Sequence, residues 1–171
     1  FGHSWSAQPN ARLSGRGCPY CSNQRVWPGF NDLKTMNPEL AKQAFGWDPE
    51  EFSVGTSRSM LWRCELGHEW KAQVANRSLG DGCPVCAGRK VQAGFNDLAT
   101  INPTLASEAD GWDPRTLTSG SSKIVGWICK HRHKWSASVK SRSRGSGCPV
   151  CSGNTVLVGS NDLSTISPTL A

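Results

Sequence analysis

Short apolar stretches with a regular alternation recur along the chain and predict β-hairpins. The stretches 60–64 and 126–129 are apolar runs that contain a tryptophan, which is typical of short strands. Apolar side chains then occupy every second position from Trp70 to Val74, so 69–75 is expected to pair with 60–64. The Gly-rich stretch 79–82 predicts a turn after this strand.

Polar and proline signals between the predicted hairpins indicate short helices. Asn37 stands before Pro38, which places a capping side chain ahead of a proline at the first helical position. Gly46 is expected to end that helix. Asp48-Pro49 predicts a second capped turn, and both signals return 65 residues later.

The whole pattern repeats with a period of 65 residues, without insertion, over two full periods. The register is clearest for Gly-Cys-Pro-x-Cys at 17–21, 82–86 and 147–151, Asn-Asp-Leu at 31–33, 96–98 and 161–163, and Gly-Trp-Asp-Pro at 46–49 and 111–114. Such a period predicts small α+β modules in tandem, each with a β-hairpin and short helices. The expected boundaries are the end of a truncated module at 1–30, a complete middle repeat at 31–95, a complete last repeat at 96–160, and the start of a further repeat at 161–171. We therefore expect the chain to be a piece of a longer array.

Composition changes the picture because the predicted core is thin. Only 37% of the residues are hydrophobic, and a 65-residue unit of that kind buries little apolar surface. The chain has eight cysteines and four histidines, which point to metal binding or disulfides as an additional source of stability.

The spacing of these residues favours zinc. Each complete repeat has a Cys-x₃-His pair, fourteen further residues, and a Cys-Pro-x-Cys pair. A Cys₃His set is a common structural zinc site, and four protein ligands leave no position for a substrate. Disulfides remain an alternative, with 105 possible pairings, but they give histidine no reason to recur at one offset. The predicted ligands of one Zn²⁺ per complete repeat are Cys64, His68, Cys83 and Cys86, and Cys129, His133, Cys148 and Cys151.

The truncated module at 1–30 supplies only three candidate ligands, His3, Cys18 and Cys21. We expect a weak or incomplete site there unless residues outside the given sequence complete it. His131 aligns with no ligand and is expected to be an exposed basic residue.

Seven of the eight tryptophans recur at fixed repeat positions. Aromatic rings can stack on nucleic-acid bases, but residues held beside the ligands are more readily explained as core. Trp27 has no counterpart in the other repeats and is expected to be exposed.

The charge is positive overall, with a net charge of +6 and a pI near 9.0. No Asp or Glu occurs from Pro114 to Asn161, so the positive charge is concentrated in the last repeat. This pattern favours contact with phosphates, although a solvated basic face or arginines bonded to local carbonyls would explain it too. The candidate phosphate contacts are Arg12, Lys71, Arg77, Lys130, Arg132, Lys134, Lys140, Arg142 and Arg144.

The last repeat contains Trp127-Ile128-Cys129, His133-Lys134-Trp135, Arg142 and Gly147-Cys148-Pro149-Val150-Cys151. This series of motifs resembles the W-x-C…G-H-x-W…R…G-C-P-x-C repeat of zinc-ribbon or treble-clef domains, which are found in tandem in bacterial proteins. The last repeat departs from it, since Arg132 replaces the glycine before the histidine. The resemblance implies association with nucleic acid, because such repeats occur beside endonuclease-like domains.

From these observations we expect an array of structural zinc modules that binds nucleic acid, DNA rather than RNA, mainly through phosphate contacts. It would be a targeting part of a larger protein with a fused or partner nuclease domain. The alternative is a protein-interaction or spacer array. No catalytic set, small-molecule site or membrane span is recognised, and we expect a cytoplasmic protein, nucleoid-associated if bacterial.

Overall fold

The structure is a computed structural model that describes residues 2–170 and divides into two compact units, residues 1–83 and 84–171. Each contains one antiparallel two-stranded hairpin surrounded by one-turn helices. The predicted small α+β architecture is therefore confirmed. The module boundaries deduced from the repeat stay a prediction.

The two hairpins have the same register. β1 (Ser59–Arg63) pairs with β2 (Glu69–Gln73), and β3 (Ile124–Ile128) pairs with β4 (Lys134–Ser138). Trp62 lies opposite Trp70, and Trp127 lies opposite Trp135. The apolar alternation in the sequence thus places one tryptophan of each strand on the same face, towards the core.

The helices are all short. In the first unit they are α1 (Pro9–Leu13), α2 (Leu33–Met36), α3 (Pro38–Ala41) and α4 (Val74–Ser78), with a 3₁₀ turn at Pro49–Glu51. In the second they are α5 (Leu98–Ile101), α6 (Pro103–Ala106), α7 (Val139–Ser143) and α8 (Leu163–Ile166), with 3₁₀ turns at Pro114–Thr116 and Pro168–Leu170. Within residues 2–170, no helix has the length and apolar character needed to cross a membrane.

Side-chain caps explain where these helices begin. Asn37 accepts from the backbone N–H of Leu40, and Asp48 accepts from that of Glu50, as their positions before prolines predict. Asp97 accepts from the N–H and the hydroxyl of Thr100 and from the N–H of Gly94. These hydrogen bonds lower the pKa of the buried Asp97 carboxyl, and the one from the Thr100 hydroxyl has the largest effect.

Two predicted elements differ from the structure. The helix after Asn37 was expected to reach Gly46 but ends at Ala41, where the chain turns to lie beside β1. The strand expected over 69–75 ends at Gln73, and α4 begins at Val74. In both repeats this early bend buries Val74 or its counterpart Val139 under the hairpin.

The tryptophans hold the hairpins to the preceding turns. The indole N–H of Trp62 donates to the carbonyl of Ala72 at 2.9 Å, and that of Trp47 donates to the carbonyl of Leu61 at 2.6 Å. Their rings meet edge to face with centroids 5.0 Å apart. Trp112 and Trp127 repeat this arrangement at 5.3 Å. The structure therefore buries Trp62 and Trp127 completely in the core, while Trp47 and Trp112 pack against them and are half-buried.

Candidate metal centre

The first ligand pair of each complete repeat lies at the tip of its hairpin. The backbone N–H of Cys64 donates to the carbonyl of His68 at 3.1 Å, and the N–H of Gly67 donates back to Cys64 at 2.9 Å. This closed turn needs a left-handed backbone at the residue just before the histidine. In the middle repeat that residue is Gly67, with a φ of 80°. In the last repeat the same position is taken by Arg132, with a φ of 65°.

The second ligand pair lies on a tight turn after the hairpin. The N–H of Gly88 donates to the carbonyl of Val85, and the N–H of Arg89 donates to that of Pro84. Gly153 and Thr155 form the equivalent turn after Cys148. The Cys-Pro-x-Cys segment is thus a hydrogen-bonded turn in both repeats.

The structure brings the predicted ligands together. The predicted ligands form three groups, and within each group all ligand atoms lie within 4.8 Å of one another. The groups are Cys64, His68, Cys83 and Cys86 in the middle repeat; Cys129, His133, Cys148 and Cys151 in the last repeat; and His3, Cys18 and Cys21 near the start of the chain. In each group it is Nδ1 of the histidine that faces the sulfurs. Among the described residues no two cysteines form a disulfide.

The distances fit a tetrahedral zinc ion. Bonds of about 2.3 Å to sulfur and about 2.0–2.1 Å to imidazole place two ligand atoms about 3.5–3.8 Å apart. His68 Nδ1 lies 3.5 Å from Cys64 Sγ and 3.7 Å from Cys83 Sγ. Cys129 Sγ lies 3.8 Å from Cys151 Sγ, and His133 Nδ1 lies 3.3 Å from it. Both tetrads therefore fit one Zn²⁺ per complete repeat.

The electrostatics of the thiols agree with this fit. Burial raises the pKa of Cys129, but hydrogen bonds with the backbone of His133 and His131 and with the thiols of Cys151 and Cys148 together lower it, which favours a thiolate. Burial and the neighbouring thiols of Cys148 and Cys129 raise the pKa of Cys151 to about 11. Crowded sulfurs of this kind can ionise together only if a cation neutralises them, and Zn²⁺ supplies that charge.

The sets differ in their surroundings. His68 is buried, whereas His133 is half-exposed and its Nε2 lies 3.1 Å from the hydroxyl of Ser160. His3 lies among the rings of Tyr20, Trp27 and Phe30, with centroids 4.4–5.4 Å away. In the three-residue group, His3 Nδ1 lies 3.5 Å from both Cys18 Sγ and Cys21 Sγ, within the range of 3.3–3.7 Å found in the complete tetrads.

One supporting residue was not anticipated from the sequence. The side-chain amide of Asn96 donates to the carbonyls of Val85 and Lys90, and it ties the Cys-Pro-x-Cys turn to the start of α5. Asn31 and Asn161 make the same contacts at their turns. The signal available in the sequence was the recurrence of Asn-Asp-Leu at 31–33, 96–98 and 161–163.

The candidate phosphate contacts fall into two groups. Seven are exposed, namely Arg12, Lys71, Lys130, Arg132, Lys134, Lys140 and Arg144. Arg77 and Arg142 are buried, with 7% and 9% of their surfaces exposed. Their prediction as phosphate contacts is corrected, because a buried guanidinium cannot form part of a phosphate-binding surface. The alternative, an arginine bonded to local carbonyls, describes them instead.

Comparison with known proteins agrees with this geometry. The sequence profile of a family described as "Probable Treble clef zinc finger domain" matches residues 40–89 and 106–154, which together make up more than half of the chain. The chain belongs to this family, and its complete repeats are tandem zinc-binding modules. No curated protein matches the chain.

Proposed function

We propose that the array binds nucleic acid, DNA rather than RNA, through phosphate contacts made mainly by the last repeat. The supporting observation is the distribution of charge. Residues 84–171 contain ten Lys and Arg but five Asp and Glu, whereas 1–83 contain nine and eight. Excess positive charge on an exposed surface is what a polyphosphate partner requires.

The exposed cations of the last repeat lie at two places. Lys130 and Arg132 are on the hairpin tip between the first two ligands, and Lys140 and Arg144 are one turn apart on and after α7. Within residues 2–170, none of these four side chains is in an ion pair. Lys134, in contrast, contacts Asp110 at 3.1 Å. Unpaired exposed cations can approach a phosphate without giving up an existing partner.

The left-handed backbone of Arg132 is an independent argument. The middle repeat has glycine at this position, and a side chain there costs about 1–2 kcal/mol. Strain of this kind often marks a residue retained for contact with a ligand. An arginine at this strained position therefore supports a role in binding rather than in folding.

This binding would be largely insensitive to base sequence, because the exposed set consists of Lys and Arg side chains suited to phosphates. We propose no catalytic activity and no small-molecule substrate for the array itself. Its role would be to direct a fused or partner domain, such as a nuclease, to nucleic acid.

The test is a fluorescence-anisotropy titration of the zinc-loaded chain with duplex DNA, single-stranded DNA and RNA at two salt concentrations. The triple variant Lys130→Glu, Arg132→Gly, Lys134→Glu gives the last repeat the residues that stand at these positions in the middle repeat. We expect weaker binding, and a salt slope on duplex DNA reduced by roughly 0.9 for each phosphate that the variant no longer neutralises.

The control variant makes the same change in net charge, two reversals and one neutralisation, at ion-paired side chains of residues 1–83, Lys34→Glu, Lys42→Glu and Arg63→Ala. It should bind nearly as well as the natural chain. An equal weakening in the two variants would mean that net charge, and not this surface, governs binding. No binding at low salt would refute the proposal and support a protein-interaction or spacer array.

A further inference from the structure

In each complete repeat, one buried guanidinium packs against two indoles. Cζ of Arg77 lies 5.1 Å from the ring centroids of both Trp62 and Trp70. Cζ of Arg142 lies 5.2 Å from Trp127 and 5.1 Å from Trp135. Aromatic rings at this distance stabilise a cation, and the guanidinium donates its hydrogen bonds from its edge.

The edge of the guanidinium holds the chain just before the second ligand pair. Nη1 of Arg77 donates to the carbonyl of Asp81, two residues before Cys83, and Nη1 of Arg142 donates to the carbonyl of Ser146, two before Cys148. Nη2 of Arg77 donates to the side-chain oxygen of Gln43, which follows α3. Nη2 of Arg142 donates to the carboxylate of Glu108, which follows α6. The buried Nε atoms of both arginines have no hydrogen-bond partner among the described residues.

The guanidinium also adjoins the ligands. Arg77 and Cys64 line one cleft, and Arg142 lines the equivalent cleft with Cys129, Cys148 and Cys151. Burial lowers the pKa of Arg77, and the negative charges of Cys83, Asp81 and Cys64 act in the opposite direction. A positive charge thus lies near the sulfurs in both repeats.

The charge of a zinc centre gives this arrangement a role. One Zn²⁺ with three thiolates and a neutral imidazole has a net charge of −1, and burying an unbalanced charge is costly. We propose that Arg77 and Arg142 are positioning residues that neutralise the net negative charge of the zinc–thiolate centres, in addition to holding the second ligand pair in place.

The two repeats offer a natural test of charge against shape. Arg77 is bonded to a neutral amide, whereas Arg142 is bonded to the carboxylate of Glu108, which neutralises part of its charge. Gln43 shows that an amide can accept the same hydrogen bond. Glu108→Gln therefore preserves the contact and leaves more of the positive charge of Arg142 to the zinc centre.

The experiment uses the full zinc-loaded chain in competition with a soluble chelator. Brief alkylation of released thiols, followed by peptide mass spectrometry, measures zinc loss from Cys148 and Cys151 separately from loss at Cys83 and Cys86. Glu108→Gln should increase zinc affinity at the last site, by up to about tenfold, while the middle site in the same molecule stays unchanged. Gln43→Glu should do the reverse at the middle site.

Arg142→Met and Arg142→Lys complete the set. The methionine variant removes the charge and should reduce zinc affinity at the last site by about 10–100-fold. The lysine variant keeps the charge without the guanidinium fork and should show a clearly smaller reduction. A purely mechanical clamp predicts no gain from Glu108→Gln. An unchanged or weaker last site in that variant would overturn the proposal, whether or not the Arg142 variants fold.

Discussion

The hairpin tips of the two complete repeats have the same backbone and opposite charge. The middle tip has Glu65 and Glu69 around Gly67, and the last tip has Lys130 and Lys134 around Arg132. Both tips nevertheless bring a cysteine and a histidine to one point, with the same cross-tip hydrogen bonds. The metal centre and the buried arginine are therefore common to both complete repeats, while residues on the outside of the same turn differ in charge.

The repeats also differ in how well the centre is enclosed. His68 has 6% of its surface exposed, and Trp70 in the following strand is buried as well. In the last repeat both His133 and Trp135 are half-exposed. Enclosure and charge change together, so the more basic tip has the more accessible metal centre.

Removal of zinc should have the largest effect on this comparison. Structural zinc can contribute on the order of 10 kcal/mol or more to folding, so each complete repeat should unfold when a strong chelator removes its ion. The last repeat should release its ion first, because its histidine is less enclosed. Hydrogen exchange measured on peptides from the two hairpins would follow both events. Hairpins that stay protected after complete chelation would contradict the prediction.

Truncation of the central tryptophan should have the next largest effect and should not distinguish the repeats. Trp62→Ala and Trp127→Ala each remove a fully buried indole and a cross-strand hydrogen bond, at a cost of about 3–5 kcal/mol. Denaturant unfolding of the zinc-loaded chain measures this destabilisation. Leu79→Ala is the control, because Leu79 is 87% exposed and its truncation should change stability by less than about 0.5 kcal/mol. A much smaller effect for Trp127→Ala would mean that the last repeat depends less on its hairpin core.

Exchange of the left-handed tip residue should have the smallest effect, with opposite signs in the two repeats. Arg132→Gly should stabilise the last repeat by about 0.5–1 kcal/mol, because glycine adopts a φ of 65° without strain but has a more flexible unfolded state. Gly67→Ala should destabilise the middle repeat by about 1 kcal/mol. Arg132→Lys keeps both the charge and the strain and should leave stability unchanged. Unfolding free energies of the zinc-loaded variants decide the point, and a decrease in stability in Arg132→Gly would show that the arginine has a structural role.

The sequence alone was sufficient for the ligands, the pairing of the strands in the hairpin and the caps before prolines. These depend on local geometry, because a Cys-x₃-His pair closes a hairpin tip and an Asn-Pro step begins a helix in almost any context. The period of 65 residues then carried each assignment to its counterpart. The helix ends could not be predicted, since pairing beside β1 competes with continued helix after Ala41.

Only the tertiary structure decided the role of the recurring arginine. In the sequence analysis, Arg77 and Arg142 were candidate phosphate contacts together with their exposed basic neighbours. Packing places each guanidinium against two tryptophans that are seven and fifteen residues away along the chain, close to cysteines of the metal site. The burial of these two guanidinium groups, and therefore the presence of a positive charge beside the zinc ligands, depends on contacts between segments that are distant in sequence. No local sequence pattern records such contacts.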